Sequence, residues 1–489
     1  MKILFYYPTS CSTEPEPTGG IGILIAIARE LGHEIEFYDY DHHRKLFNFE
    51  DIFKEFNPDV FAVSCMTPQY YFAQQAISFA KEKSPSCITI IGGPHASALP
   101  VETLQEINGL DFLCEGEGEK TFKDFLNYLE QGQNSSPDIS GLYYKKNGKI
   151  IVPKPQTLLT SAELDNLPMA AWDVIFKHGP YKQKVNYTED AVPVFSVITA
   201  RGCPYECTFC DEKSIWKRKI RERSIENVIK EIQYLVQNYK AEHFNILDDT
   251  FTMKAERVKE FCSKVKALNI SYRITAKVNT VNSEMLEALA GSGCKLVAYG
   301  VESGDENVLK IMKKHQSLDS VRKAFELTNN AGMTSYALCM VGNIGEDFEA
   351  VKKTAQFVKD INATLFSAAI MTPYPGSENY KICEQNNWII TKDWSKWCPS
   401  PIRLKNWEPV ARTDKMDKEL MLKSYYYLNN RFMYIRFRRR YGTFYLLNPN
   451  FYRTEILKRL QGIGLTAFLK HIIQLIKVSF SNNSTKQES

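Results

Sequence analysis

Short apolar runs alternate with longer amphipathic segments over roughly the first quarter of the chain. The apolar runs are predicted to be strands at residues 3–7, 35–38, 60–64, 88–91 and 112–114. Strands that alternate with helices are typical of a parallel sheet covered by helices. The pattern therefore predicts an α/β fold, with a Rossmann-like sheet at the start of the chain.

The same alternation returns after residue 193 and repeats six times. The predicted strands are residues 194–199, 244–247, 272–276, 296–301, 335–341 and 365–370. The amphipathic segment 224–239 is predicted to be a helix with Ser224 as its N-cap. Six strand–helix units indicate a partial (β/α)6 barrel, in which catalytic groups lie on the loops at the carboxyl ends of the strands.

A chain of 489 residues is too long for one ordinary core, and these patterns divide it into four parts. They are an α/β domain at 1–135, a hairpin and linker at 136–193, the barrel at 194–393 and a mostly helical cap at 394–489. The hairpin is expected to turn at Asn147-Gly148, because that dipeptide favours a two-residue turn. The last part of the cap, 481–489, is expected to be disordered.

The positive charge of the chain is confined to its C-terminal end. The net charge is +4, yet from residue 401 onward seventeen Lys and Arg stand against six Asp and Glu. A nucleic-acid footprint along the whole chain is therefore not expected. An apolar helical stripe in the same region comprises Leu465, Phe468, Leu469, Ile472, Ile473, Ile476 and Phe480. It predicts either peripheral contact with anionic lipid or packing on the protein's own core.

No apolar segment follows a basic start at the N-terminus, so we expect no signal peptide and a cytoplasmic protein. Peripheral contact with the inner face of the membrane would come from the C-terminal region. The twelve cysteines are then expected to be thiols or metal ligands rather than disulfides.

Three cysteines lie within eight residues at Cys203, Cys207 and Cys210. A structural zinc site normally has four ligands and a ferredoxin-type run supplies a fourth cysteine, but the next cysteine here is Cys262. Three thiolates can hold an iron–sulfur cube with one iron left open. The alternative is that the three cysteines bind no metal and behave as small hydrophobic residues.

The C-x3-C-x2-C spacing, with Arg201-Gly202 before it and an aromatic residue before its last cysteine, resembles the cluster motif of the radical S-adenosylmethionine (radical SAM) superfamily. The resemblance implies a 4Fe-4S cluster bound by the three cysteines and S-adenosylmethionine chelated at the open iron. It also implies cofactor contacts from Phe209, Asp248, Asp249, Lys277, Glu302 and Gly342. The alternative for the acidic residues is a helix cap or a surface salt bridge.

The loops after the first, third and fourth predicted strands resemble those of cobalamin-binding domains. The spacing of Gly22, Ser64 and Gly92-Gly93 is close to the family pattern, but Pro17 and Gly19 hold the positions of its Asp and His. We therefore expect cobalamin to bind without a lower-axial histidine from that loop. The implied contacts are Gly19, Gly20, Gly22, Ser64, Gly92, Gly93 and His95, the last as a loop contact. Ordinary tight turns are the alternative explanation of the glycines.

The two resemblances together imply a cobalamin-dependent radical SAM enzyme. The activity expected first is methylation of an unactivated carbon of a small or lipid-like substrate. The reaction would use a 5′-deoxyadenosyl radical, and an electron donor such as flavodoxin or ferredoxin would supply the electron that produces it. An oxidative cyclase or rearrangement enzyme is the alternative on the same scaffold. A non-catalytic cobalamin- or cluster-binding sensor is the alternative from another class.

Overall fold

Two parallel sheets organise the protein. The computed structural model describes residues 1–9, 16–17, 19–132, 136–185, 188, 190–399, 407–442 and 445–452. The strands of the first sheet are β1 (Lys2–Tyr7), β2 (Glu34–Asp39), β3 (Val60–Ser64), β4 (Ile88–Gly92), β5 (Phe112–Cys114), β6 (Leu142–Lys146) and β7 (Lys149–Ile151). Their order is β2-β1-β3-β4-β5-β6-β7. Strands β1 to β5 pair in parallel, whereas β6 and β7 form an antiparallel hairpin that extends the sheet at β5.

Helices cover both faces of this sheet, as the hydrophobic pattern predicts. They are α1 (Gly19–Glu30), α2 (Tyr40–His43), α3 (Phe49–Phe56), α4 (Tyr70–Lys83), α5 (Pro94–Ala98), α6 (Pro100–Glu106), α7 (Gly118–Glu130), α8 (Ser161–Asp165) and α9 (Trp172–Ile175). The last two belong to the linker. A short pair, β8 (Lys182–Gln183) and β9 (Val192–Pro193), ends this part of the chain.

The second sheet is a six-stranded parallel array in the order β10-β13-β14-β15-β16-β17. The strands from here on are β10 (Phe195–Val197), β11 (Ala200–Arg201), β12 (Arg221–Glu222), β13 (His243–Ile246), β14 (Ser271–Ala276), β15 (Cys294–Glu302), β16 (Thr334–Val341) and β17 (Leu365–Ile370). Strands β11 and β12 pair separately and antiparallel. The predicted α/β class, with a Rossmann-like sheet before a partial barrel, is confirmed.

Helices follow the barrel strands and then continue into the C-terminal region. They are α10 (Lys213–Trp216), α11 (Ile225–Tyr239), α12 (Ala255–Val265), α13 (Ser283–Gly291), α14 (Glu306–Ile311), α15 (Leu318–Asn330), α16 (Phe348–Asp360), α17 (Glu378–Gln385), α18 (Lys418–Tyr441) and α19 (Pro449–Phe451). As predicted, Ser224 caps α11, because its side chain accepts the amide of Asn227.

The linker joins the two sheets through one continuous apolar core. Trp172 of α9 is 1% exposed, and its indole nitrogen donates to Glu231 of α11 at 3.0 Å. Phe176 stacks on Trp172 and packs edge-on against Phe195 of β10. Because these rings touch the elements of both sheets, the first sheet and the barrel share a buried interface.

The C-terminal region returns to both parts of the molecule. Phe432 of α18 lies 4.3 Å from Phe366 of β17 between ring centroids, and Trp394 packs against Tyr70 of the first sheet's helices. Within the part of the chain that the structure describes, no helix is both long and apolar enough to span a membrane. The predicted stripe at 465–480 and the tail at 481–489 lie outside the described residues.

Candidate active site

The cysteine loop begins just past β10, at the carboxyl edge of the barrel. Gly202 has a φ of +90°, and a Cβ atom there would lie 2.2 Å from the carbonyl oxygen of Lys219, so the backbone path requires glycine. The amide of Cys203 donates to Glu212 at 3.0 Å. Cys203 and Cys207 are half-buried and Cys210 is exposed. The loop is therefore held in shape by the glycine at its start and by the Glu212 side chain.

Three cysteine thiols can supply three ligands to an iron–sulfur cube. Among the described residues, no three His, Cys, Asp or Glu side chains converge as ligands of one metal ion. Each thiolate of a cube binds a different iron, so the sulfur atoms stay apart. The cysteine set fits a cluster by the chemistry of its donors.

Two buried lysines lie beside the cysteine loop. The Lys277 ammonium sits 3.2 Å from the centroid of the Tyr205 ring and has no hydrogen-bond partner within the described structure. Burial lowers the pKa of Lys277 to about 8. Lys314 instead pairs with Glu302 at 2.8 Å and lies 5.5 Å from the centroid of Phe209. Lys277 is therefore a buried cation that lacks an anion, whereas Lys314 already has one.

The two aspartates after β13 have different environments. Both oxygens of Asp248 are used: they accept the Thr199 amide at 2.6 Å, its hydroxyl at 2.5 Å and the Ala200 amide at 3.1 Å. Burial raises the pKa of Asp248 to about 6. Asp249 is exposed at the rim of the barrel. Asp248 therefore ties β13 to the chain leading into the cysteine loop, and Asp249 is the exposed carboxylate of the two.

Two positions at the rim of the barrel have a left-handed backbone conformation. Glu302 has a φ of +62°, and Gly342 has a φ of +82°. Glu346 closes the second turn by accepting the amides of Gly342 at 2.7 Å and Asn343 at 3.1 Å, and burial raises its pKa to about 8. This acid therefore holds the Gly342 turn in shape.

A cavity of about 320 Å³ lies over the carboxyl ends of β1, β3 and β4. Four of the predicted cobalamin contacts line it, namely Gly20, Ser64, Gly92 and Gly93. Apolar side chains form much of its wall, including Phe5, Ile21, Leu24 and Phe122. Gly93 has a φ of +96°, and a Cβ atom there would lie 2.7 Å from the carbonyl oxygen of Cys65. Gly93 is therefore required where the chain passes close to the end of β3 at the wall of the cavity.

The other three predicted contacts lie outside the lining of this cavity. Gly19 faces a neighbouring cavity of about 160 Å³. A Cβ on Gly22 would lie 2.7 Å from Ile175, so this glycine lets α1 pack closely on α9. His95 is buried against Tyr70, and its Nδ1 lies 3.1 Å from the Thr67 hydroxyl. Burial lowers the pKa of His95 to about 3.

A buried set of four charges at the wall of the cavity was not anticipated from the sequence. Arg201 donates to Glu117 at 2.8 Å and to Glu119 at 2.5 Å, and Arg221 donates to Glu117 at 2.6 Å. All four side chains are at most 9% exposed, and both guanidinium groups lie over the Trp216 ring. The set joins α7 to the strand that enters the cysteine loop.

Comparison with known proteins identifies the family. The model of the B12 binding domain matches residues 9–126, and that of the radical SAM superfamily matches residues 197–358. An uncharacterised methyltransferase of Pyrococcus horikoshii is 30% identical over 410 residues, which cover 81% of this chain and 86% of the relative. The chain belongs to the cobalamin-binding radical SAM enzymes. The predicted family is confirmed.

Other similarities of this radical SAM enzyme are more distant. An anaerobic magnesium-protoporphyrin IX monomethyl ester cyclase of Rubrivivax gelatinosus is 25% identical over 75% of this chain and 64% of the relative. The structure of the cobalamin-dependent radical enzyme OxsB with aqua-cobalamin and S-adenosylmethionine bound has a TM-score of 0.70 at 16% identity, covering 98% of this chain and 71% of that one. This likeness shows a shared fold.

Membership of the family identifies the cofactors of the enzyme. A radical SAM enzyme with a B12 binding domain uses a 4Fe-4S cluster, S-adenosylmethionine and cobalamin, as predicted. The cysteine loop and the glycine-lined cavity are the places where the donor chemistry fits the cluster and the corrin. The assignment of individual residues to these cofactors is a proposal, developed below.

Proposed function

We propose that this enzyme is a methyltransferase that acts on an unactivated carbon of a small or lipid-like substrate. One observation carries the proposal: the cysteine loop and the glycine-lined cavity are adjacent. Arg201, two residues before Cys203, lines the same cavity as Gly92 and Gly93. When bound, the cofactors supply reductive cleavage of S-adenosylmethionine and a methyl group for transfer. The chain's residues bind them, orient them and exclude water.

Cys203, Cys207 and Cys210 would ligate the cluster, and Lys277 would bind the carboxylate of S-adenosylmethionine. A buried ammonium without a partner is costly, and a carboxylate is the group that relieves this cost. Lys277 lies over Tyr205, which is within the cysteine loop, so such a carboxylate would also lie beside the cluster. Asp249, exposed on the same rim, would accept the amino group.

The remaining rim residues would hold the nucleoside part of S-adenosylmethionine. Phe209 packs against Val308 and Met312, which leaves its ring partly buried beside the open rim. Glu302 is fixed by Lys314 rather than left free. The Gly342 turn is fixed by Glu346. Preorganised groups of this kind position a ligand without reorganisation at the moment of reaction.

The glycine-lined cavity would take cobalamin, with the Gly92-Gly93 backbone against the corrin. Ser64 adds a hydroxyl to its wall. No histidine is among the described residues that line the cavity. A one-electron donor such as flavodoxin or ferredoxin would reduce the cluster. The basic C-terminal region would provide any peripheral contact with anionic lipid.

Product analysis tests the proposal. The protein is reconstituted without oxygen with iron, sulfide and cobalamin, reduced, and supplied with S-adenosylmethionine and candidate substrates. Methylation predicts both 5′-deoxyadenosine and S-adenosylhomocysteine. Replacement of Cys203 by Ala should abolish both products and the cluster absorption. Replacement of Cys87, a buried cysteine of the first sheet, is the matched control and should retain the cluster.

A cyclisation reaction is the second candidate, favoured by the similarity to the Rubrivivax gelatinosus cyclase. It predicts 5′-deoxyadenosine without S-adenosylhomocysteine. That result would contradict methyl transfer and leave the radical SAM assignment intact. Absence of both products from fully reconstituted protein with every substrate tried would contradict both candidates.

A further inference from the structure

A row of polar side chains crosses the inner face of the barrel below its rim. Ser196 of β10 is in register with Asn245 of β13, and Asn245 is in register with Arg273 of β14. Directly opposed residues of neighbouring strands lie on the same face of a sheet. The hydroxyl, the amide and the guanidinium therefore form one continuous row across three strands.

The other face of these strands is packed against the helices. Phe195, Phe244 and Tyr272 precede the row residues by one position, and all three are fully buried. Phe195 packs on Tyr239 of α11, and Tyr272 packs on Phe261 of α12. Because side chains alternate along a strand, Ser196, Asn245 and Arg273 face the inside of the barrel.

The row already holds a carboxylate of this chain. Glu16, in the loop between β1 and α1, accepts from Asn245 at 2.6 Å and from Ser196 at 3.0 Å through one oxygen. Arg273 lies 3.8 Å from the same oxygen, which is an ion pair but not a hydrogen bond. The contact shows that a carboxylate is compatible with the donors of the row.

Arg273 retains donor capacity for a second acceptor. Its guanidinium makes no hydrogen bond to any described residue, and its side chain is 33% exposed. A guanidinium has five donors in a planar fork that matches carboxylates and phosphates. An arginine that is accessible, inside a barrel and without hydrogen bonds is suited to an incoming anionic group.

The opposite wall of the barrel is uncharged. Strands β16 and β17 contain no Asp, Glu, Lys or Arg. Leu338 and Ala369 are half-buried at positions that alternate with core residues, and the Tyr336 hydroxyl donates to Ser367 at 2.9 Å. The interior therefore has Arg273, paired with Glu16, at one end and a mainly apolar or hydroxyl-bearing wall at the other.

We propose that Arg273, supported by the row, binds an anionic group on the substrate, a carboxylate or a phosphate. Lys277 is four residues further along the chain, about 13 Å nearer the rim if the strand spacing continues. A substrate anchored at Arg273 would then extend toward the cysteine loop, with its apolar body along β16 and β17. This inference rests on the proposed function, because it assigns the barrel interior to the substrate.

Binding of three matched probes to the reconstituted full-length protein tests the proposal. Phenylbutyrate and phenylbutyl phosphate carry the two candidate anions, and phenylbutanamide is their neutral counterpart. Calorimetry should show the better anion binding about tenfold more tightly than the amide, equivalent to about 1.4 kcal/mol. The anion that binds more tightly identifies the substrate group.

Variants connect the preference to the row. Arg273→Met should remove the anion preference and leave the affinity for the amide unchanged. Glu16→Gln should strengthen anion binding, because it removes the competing carboxylate. Arg322→Met, on the exposed face of α15, is the matched control and should behave like the wild type.

An anion preference that survives in Arg273→Met, or is absent in the wild type, would overturn the inference. Weaker anion binding in Glu16→Gln would also overturn it. Cleavage of S-adenosylmethionine is measured in the same preparations. If the wild type does not cleave S-adenosylmethionine, the proposed function is contradicted. The probe affinities would still show whether Arg273 prefers an anionic ligand.

Discussion

Replacing Glu117 with Gln removes one charge from the buried set that joins α7 to the cysteine loop. The Glu117 carboxylate accepts from Arg201, Arg221 and the Leu159 amide, at 2.6–2.8 Å. Arg201 would keep Glu119, whereas Arg221 would lose the carboxylate paired with it and keep two backbone carbonyls and at most a neutral amide oxygen. Breaking a buried pair by removing one partner costs about 3–5 kcal/mol, because the other charge stays buried.

Amide hydrogen exchange measures this loss locally, which matters because a chain of two domains need not unfold in one step. If opening of the set limits exchange, the amides of Gly202 and Cys203 should exchange about a hundred to a few thousand times faster in Glu117→Gln. Asp138→Asn breaks an ion pair with Lys154 in which both side chains are more than 70% exposed. That control should change stability by about 0–1 kcal/mol.

An exchange rate in Glu117→Gln that stays within a few-fold of the wild type would refute the reasoning. It would mean that the four charges do not hold the loop entry in place. A double variant with Arg221→Met provides a second check. Because the double variant also removes the unpaired Arg221 cation, it should recover part of the stability that Glu117→Gln alone loses.

Three further predictions concern single groups of the site. Lys277→Met should weaken S-adenosylmethionine binding about tenfold by calorimetry, because a charge-assisted contact is lost; unchanged affinity at full iron content would contradict its role. The EPR spectrum of cob(II)alamin bound to the protein should not change when the histidines are labelled with ¹⁵N, since no described lining residue is histidine. A changed spectrum would reveal a histidine ligand. The pKa of His95 is about 3 in the folded protein, below its ordinary 6.5, so the unfolded chain takes up the proton first and stability falls as the pH drops below about 6.5. His95→Gln should reduce that slope by up to about 1.4 kcal/mol per pH unit in urea unfolding, and an unchanged slope would show that His95 is not responsible.

The local sequence pattern was sufficient to predict the fold class and the family. Alternating apolar runs predicted both sheets, and Asn147-Gly148 predicted the hairpin. The spacing of Cys203, Cys207 and Cys210 predicted the superfamily, and the loop glycines predicted the B12 binding domain. These signals lie within short stretches of chain, where backbone geometry and neighbouring residues determine the structure.

Contacts between distant residues were decided only by the tertiary structure. The hairpin was expected in a linker, yet it extends the first sheet at β5. His95 was expected near the cavity, but it packs beneath it against Trp394. Asp248 was expected at the cofactor, and its oxygens are used by Thr199 and Ala200.

The sequence by itself determined which elements form and which chemistry the cysteines and glycines make available. The tertiary structure decided which charges meet, as in Arg201 with Glu117, 84 residues apart, and Arg273 with Glu16. The physical reason is that periodicity specifies which face of a strand or helix is buried. The partner of a buried charge depends on how separate elements pack, and no local spacing encodes that arrangement.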